Sequence, residues 1–336
     1  MRKIIILLSV IALSLVLASC GRGDKDADVI KGLGEKVEKI EEFEANAVME
    51  ITENEKTHVF DVNVKYQEPN FYKVSLTNRD NDNVQVILKN DDGVFVLTPA
   101  LNKSFKFQSD WPLNSSQPYL YQSLVQDILN DDEPIYVKEE GNYVFDTECN
   151  YRETRDLTSQ KIIINGKTLL PMEVTVKDSE ENTKIHVLFN DFNVKPSLNE
   201  NEFEIDYSMQ TAQSNTTYVI PTLAERDFVY PTYLAEGVEQ HVEATVDLTN
   251  TKRYVMGFQG DQNYFVYQEY LNTEETMTTD YVYGDIIITG NGVAEIINDS
   301  SLKWIHNGIE FRIDSEELTV QELIDVSNQF TIPAGK

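Results

Sequence analysis

The chain has 336 residues, 28 Lys and Arg against 57 Asp and Glu, and a net charge of −29 at neutral pH. Such an acidic surface repels phosphate backbones and anionic bilayers, which excludes nucleic acid as a partner and charge as a means of holding a membrane. Cys20 and Cys149 are the two cysteines, too few for a disulfide framework, so the fold rests on its hydrophobic core.

At the N-terminus, Arg2 and Lys3 precede an apolar run from Ile4 to Ala18. That run of about fifteen residues is shorter than the roughly 20 a transmembrane helix needs. A basic start, a short apolar stretch and a small-residue end predict an export signal over residues 1–19. Leu17-Ala18-Ser19-Cys20, followed by Gly21, resembles the lipobox of bacterial lipoproteins. The resemblance implies cleavage before Cys20, acylation of Cys20, and attachment to the extracytoplasmic face of the cell membrane. Loss of Arg2 and Lys3 with the signal takes the net charge to −31. One acyl chain holds a protein marginally, at about 0.8 kcal/mol per buried CH₂, and a second makes the hold stable.

Residues 20–27 read as a polar tether. Val29, Leu33, Val37 and Ile40 then recur at helical spacing. Beyond them the period becomes two. Phe60, Val62, Val64 and Tyr66 alternate with Asp61, Asn63 and Lys65. Tyr72, Val74 and Leu76 alternate with Lys73 and Ser75, and Val84, Val86 and Leu88 continue the pattern. With "NDDG" (90–93) as a turn and Phe105 and Phe107 in a further strand, this predicts an antiparallel meander with one apolar face. Tyr119, Leu120, Leu124, Ile128 and Leu129 predict an amphipathic helix between Pro118 and Pro134. Strands resume in a hairpin around Glu140-Gly141-Asn142 and in another with Asn165-Gly166 at its turn. A strand over "TKIHVLFNDFNV" and a polar loop ending near Tyr207 close this region. "SMQTAQSNTTY" has no periodicity and reads as a linker. The second region offers strands at "TKRYVMGFQ", "YFVYQEYL" and "DIIITGNG", and a hairpin turning on Asn307-Gly308. Its last helix is opened by a Thr319/Glu322 capping box, with Val320, Leu323, Ile324 and Val326 as the apolar face.

No catalytic constellation emerges. His58, His186, His241 and His306 are far apart in sequence and lack Cys or HExxH company, so neither a metal nor a cofactor is expected. "RDNDN" (79–83) crowds carboxylates and amides, but Val84 stands where a calcium loop needs a ligand, so it reads as a turn. Cys149 lies in a predicted strand and reads as a buried small hydrophobe rather than a nucleophile.

The order of elements resembles the LolA/LolB fold, in which an incomplete curved antiparallel sheet wraps helices and its concave side holds acyl chains. "GVFVLTPALNKSFKFQSDWP" (93–112) is similar to a stretch of LolA-like sporulation and germination lipoproteins of Gram-positive spore-formers, through Gly93, Leu97, Pro99, Lys103, Phe105 and Trp111-Pro112. Pro231, Tyr233, Leu234, Gly237, Trp304, Gly308 and Leu323 resemble the C-terminal domain of RseB/MucB regulators. The resemblances imply a mainly β (α+β) fold: a curved antiparallel half-barrel with helices over 28–207, a linker at 208–217, and a small α+β domain over 218–336. If the registers hold, Phe60, Val62, Val64, Tyr72, Val74, Leu76, Val86 and Leu88 line one face. That face is either filled by the protein's own helices or left open as a hydrophobic cavity for a lipid tail, since burial is worth about 25 cal/mol per Å² either way. The expected function is that of a non-enzymatic lipoprotein binding a hydrophobic ligand or an envelope protein, in sporulation or germination. The alternatives are an RseB-like sensor acting on a membrane anti-sigma-type protein and an accessory subunit of a cell-wall hydrolase.

Overall fold

The computed structural model describes residues 23–112, 115–132, 134–151, 157–214, 229–248 and 251–330, with side chains from residue 29 onward. Cys20 and the expected signal lie outside these residues.

Helix α1 (Gly23–Glu38) precedes six strands in a meander: β1 (Glu42–Glu53), β2 (Lys56–Gln67), β3 (Phe71–Asn78), β4 (Val84–Asn90), β5 (Gly93–Thr98) and β6 (Lys103–Phe107). Helix α2 (Tyr121–Asn130) crosses over. Strands β7 (Ile135–Glu139), β8 (Asn142–Glu148), β9 (Leu157–Ile164), β10 (Pro171–Asp178) and β11 (Thr183–Asn193) then lead back until β11 pairs with β1. The turns explain the tight hairpins. Asn54 and Glu55 both have positive φ, as do Glu140 and Gly141, the two-residue geometry that matches the twist of antiparallel strands. The Asn165-Gly166 hairpin forms with a longer loop than the dipeptide suggests. Asn165 Oδ1 accepts from the Lys167 and Thr168 amides, and the loop runs to Leu170 before β10 begins.

The meander register is Phe60↔Asn78, Val62↔Leu76 and Val64↔Val74, which places the alternating apolar residues of β2 and β3 on one face. That inner face packs on α1 through Leu33 and on α2 through Tyr121, Leu124, Val125 and Ile128. The outer face of β4 and β5 is covered by α3 (Ile205–Ser214), whose Met209 and Ala212 meet Val84, Val86, Leu88, Phe95 and Leu97.

Strands β12 (Val238–Asp247), β13 (Lys252–Gly260), β14 (Tyr264–Tyr270), β16 (Asp285–Thr289), β17 (Gly292–Ile297), β18 (Ser301–His306) and β19 (Ile309–Asp314) form a second sheet of seven. Helix α4 (Val320–Ser327) seals it, with the predicted capping box in place and with Leu323 and Ile324 fully buried. Trp304 and Phe311 stack beneath, ring centroids 4.9 Å apart. Strand β15 (Thr278–Val282), although it comes from the second region, lies parallel to β6 and becomes the twelfth strand of the first sheet. The molecule is therefore mainly β, built of two open sheets, antiparallel except for the β15–β6 pair, with few helices.

Two expectations are corrected here. The tether expected over 20–27 is helical from Gly23; the stretch has no proline to stop a helix. The linker expected at 208–217 is helix as far as Ser214. Ser208, Met209 and Ala212 fall on one buried face of a helix whose other faces are polar, so its mean composition imitates a loop.

Candidate functional site

The face expected to hold a ligand is split between two cores. Phe60, Val62, Val64, Tyr72, Val74 and Leu76 share the inner face and are all buried. Val86 and Leu88 do not join them. The β3–β4 register pairs Val74 with Ile87 and Leu76 with Gln85, so Val86 and Leu88 point to the outer face and pack under α3. The cause is that β4 is buried on both faces. Alternation carries no information there, and Ile87 rather than its neighbours completes the inner set.

The inner face is packed by side chains of this chain. Tyr72 sits between Tyr66, at 5.0 Å, and Trp111, at 5.9 Å between centroids, and burial pushes its hydroxyl well above the usual tyrosine range. Tyr121 anchors α2 through its hydroxyl, which donates to the Leu169 carbonyl at 2.5 Å. Beside Trp111 and Tyr119 lies a partly open apolar pocket of about 40 Å³ edged by Met49, Ile51, Ile185 and Ile286.

The larger concavities have linings of polar and apolar residues together. A groove of about 610 Å³ on the outer face runs over Asn63, Lys65, Lys73, Ser75 and Thr77 beside Thr211 of α3. At its edge Glu202 Oε1 accepts from Lys73 Nζ at 2.8 Å and from Lys65 Nζ at 2.9 Å. Burial lowers the Lys73 ammonium below its usual value. Burial also works against the Glu202 charge, but the hydrogen bonds from Lys73 and Lys65 prevail and hold that carboxyl below the usual range.

The third feature is the seam between the sheets. The turn between β16 and β17 enters a slot in the first sheet. There the Gly290 amide donates to Glu53 Oε2 at 3.0 Å, and the Val293 amide donates to Gln85 Oε1 at 2.8 Å. Asn328 Nδ2, just after α4, also donates to Glu53 Oε2 at 2.9 Å. A Cβ on Gly290 would overlap the His58 ring, so glycine is what allows the turn to seat. His58 and His306 both lie in this seam, buried. Nothing in their sequence spacing connects them; the signal is the pairing of two sheets, which a single sequence does not display.

Among the described residues, no group of three His, Cys, Asp or Glu side chains could hold a metal ion. His186 faces Glu173 at 3.0 Å in a partly exposed cross-strand pair. The RDNDN segment is the turn between β3 and β4, closed by the Asn78 amide on the Asn83 carbonyl. Cys149 follows β8, partly buried against the main core, and burial, with Asp127 and Glu148 nearby, pushes its thiol up to about 12. No described helix is long and apolar enough to cross a membrane.

These features define a two-sheet β scaffold whose inner apolar face packs on the chain's own helices and whose larger grooves have mixed linings. The chain belongs to the sporulation protein YdcC-like family, whose model matches residues 1–203. It is 32% identical over 339 residues to Sporulation protein YdcC of Bacillus subtilis (strain 168), covering 100% of this chain and 98% of that protein. This agrees with the resemblance of residues 93–112 to LolA-like sporulation proteins. Among solved structures, the Pseudomonas aeruginosa MucA/MucB complex is matched at 12% identity with a TM-score of 0.35, over 92% of this chain and 100% of that one. A putative outer membrane lipoprotein-sorting protein domain from Vibrio parahaemolyticus is matched at 14% identity with a TM-score of 0.34, over 54% of this chain and 97% of that one.

Proposed function

We propose that the protein is a non-enzymatic lipoprotein, tethered by acyl chains on Cys20 to the outer face of the cell membrane, that acts in sporulation by binding another envelope protein. The observation that carries this reading is the packed inner face. A lipid tail would need the volume that α2, Tyr72 and Trp111 occupy, whereas a protein partner needs outer surface alone. The family supports the sporulation setting. The Leu17-Ala18-Ser19-Cys20 motif supports the tether. The high thiol pKa of Cys149 speaks against a nucleophile there.

The test is in vivo labelling followed by cross-linking. Wild-type protein in sporulating cells takes up radioactive palmitate and is captured with one specific envelope protein after chemical cross-linking, while Cys20→Ala does neither. Labelling of Cys20→Ala would remove the tether. Recovery of bound lipid with no protein partner would replace this reading with that of a lipid carrier.

A further inference from the structure

The seam between the sheets joins two buried histidines to the hydrogen bonds that hold the β16–β17 turn. His58, on β2, is 3% exposed, and its Nδ1 lies 3.2 Å from Asp80 Oδ2. His306, the last residue of β18, is 7% exposed, and neither of its ring nitrogens has a hydrogen-bond partner in the protein. The Nε2 of His58 has none either. The charged groups that bear on the pair are Lys56 of β2, Asp80 of the β3–β4 turn and Glu53 of β1. Asp80 is engaged by His58, and Glu53 Oε2 already receives the Gly290 amide and Asn328. A proton added to His306 therefore creates a buried cation near Lys56 and His58 with no acceptor assigned to it.

We propose that this seam is a proton-sensitive clasp: closed when His58 and His306 are neutral, and released, with both sheets still folded, when they become charged. The electrostatics run in that direction. Burial, then the charges of Lys56 and His58, bring His306 down to about 4, with Asp80 opposing. Burial and Lys56 lower His58 as well, against Glu53 and Asp80. A histidine whose docked pKa lies below its solvent value favours docking fully above pH 6.5, and that advantage is lost as pH falls from 6.5 toward 4. Each histidine that takes up a proton should raise the population of the open seam by up to about tenfold per pH unit across this window. The turn is held in its slot by the Gly290 and Val293 amides, by the Asn78 and Gln85 side-chain amides that donate to the Gly290 and Val293 carbonyls, and by Val293 in the main core; none of these is a strand pairing, so release leaves the β2–β3 ladder intact.

The test is amide hydrogen exchange on detergent-solubilised full-length protein between pH 7 and 4.5, expressed as protection factors to remove the intrinsic pH dependence. The Gly290 and Val293 amides are expected to lose at least tenfold in protection between pH 6.5 and 4.5 while the β2 and β3 amides keep theirs. In His306→Phe, which keeps a buried ring and cannot be charged, the loss should shrink at least threefold. Should His306→Phe fail to fold, the His306 ring carbon signal in the wild-type protein, followed by NMR, must titrate in step with the loss at Gly290. Uniform loss across seam and core, an unchanged seam at pH 4.5, or an unchanged profile in His306→Phe (which would remove His306 from the clasp) each overturns the proposal.

Discussion

Replacing Leu124 by alanine tests whether the inner face is closed. Leu124 is fully buried on α2, in the cluster that contains Val62, Val74 and Trp111. The substitution removes three buried carbons, worth about 2.4 kcal/mol at about 0.8 kcal/mol per buried group. With helix on one side and sheet on the other, the site cannot collapse fully. A cavity contribution of about 1 kcal/mol therefore adds to that, giving about 3–4 kcal/mol, within the range of about 2–5 seen for such truncations. For a sheet unit of this size the melting temperature should fall by roughly 6–16 °C. Leu129, on the same helix but 43% exposed, is the control; its alanine variant should cost no more than about 1 kcal/mol. Urea denaturation followed by circular dichroism measures both. Equal costs for the two variants, or a Leu124→Ala cost under about 1 kcal/mol, would mean that the inner face is open to solvent and that the packing argument is wrong.

Glu202→Ala strands the buried Lys73 ammonium and should cost about 2–4 kcal/mol, less than a fully enclosed pair because Lys65 reaches solvent. Glu202→Ala combined with Lys73→Met should recover at least half of that, read as a double-mutant cycle in urea; additivity of the two would deny the coupling. Asp127 lies buried, and burial pushes its carboxyl up to about 6 against hydrogen bonds from Gln160 and Ser116. A carboxyl raised in the folded state contributes most when protonated, and that contribution is lost as pH rises from 3.8 to about 6. Asp127→Asn stays neutral throughout, and Gln160, whose Oε1 has no partner, can turn its amide to accept from it. The variant should therefore be more stable than wild type by up to about 3 kcal/mol above pH 6 and nearly equal at pH 4; a difference independent of pH would refute the assignment.

Much of the first sheet was legible because β2 and β3 have one wet face. Asp61, Asn63 and Lys65 interrupt the apolar series at every second position, so both the strands and their inward side chains follow from the period. The same rule fails at β4, where Val84 to Leu88 are buried on both sides and the phase of the alternation is lost. The capping box at Thr319 and the Asn307-Gly308 turn were readable because each depends on local backbone geometry. Helix α3 was missed because its burial rests on two or three small or flexible side chains in a polar segment, and burial by a distant strand leaves no local mark. The seam was illegible for a related reason. His58 and His306 are 248 positions apart in the chain, and what makes them neighbours is a turn of glycines entering a slot in another sheet.

The central claim, that the concavity is filled by the protein and its partner is another protein, is tested most directly by native mass spectrometry of the chain lacking residues 1–20, purified from cells and then mixed with palmitate. The account predicts the bare polypeptide mass at every palmitate concentration up to a large excess. A stoichiometric fatty-acid or phospholipid adduct that survives gentle desolvation and disappears in a variant narrowing the inner face would contradict it.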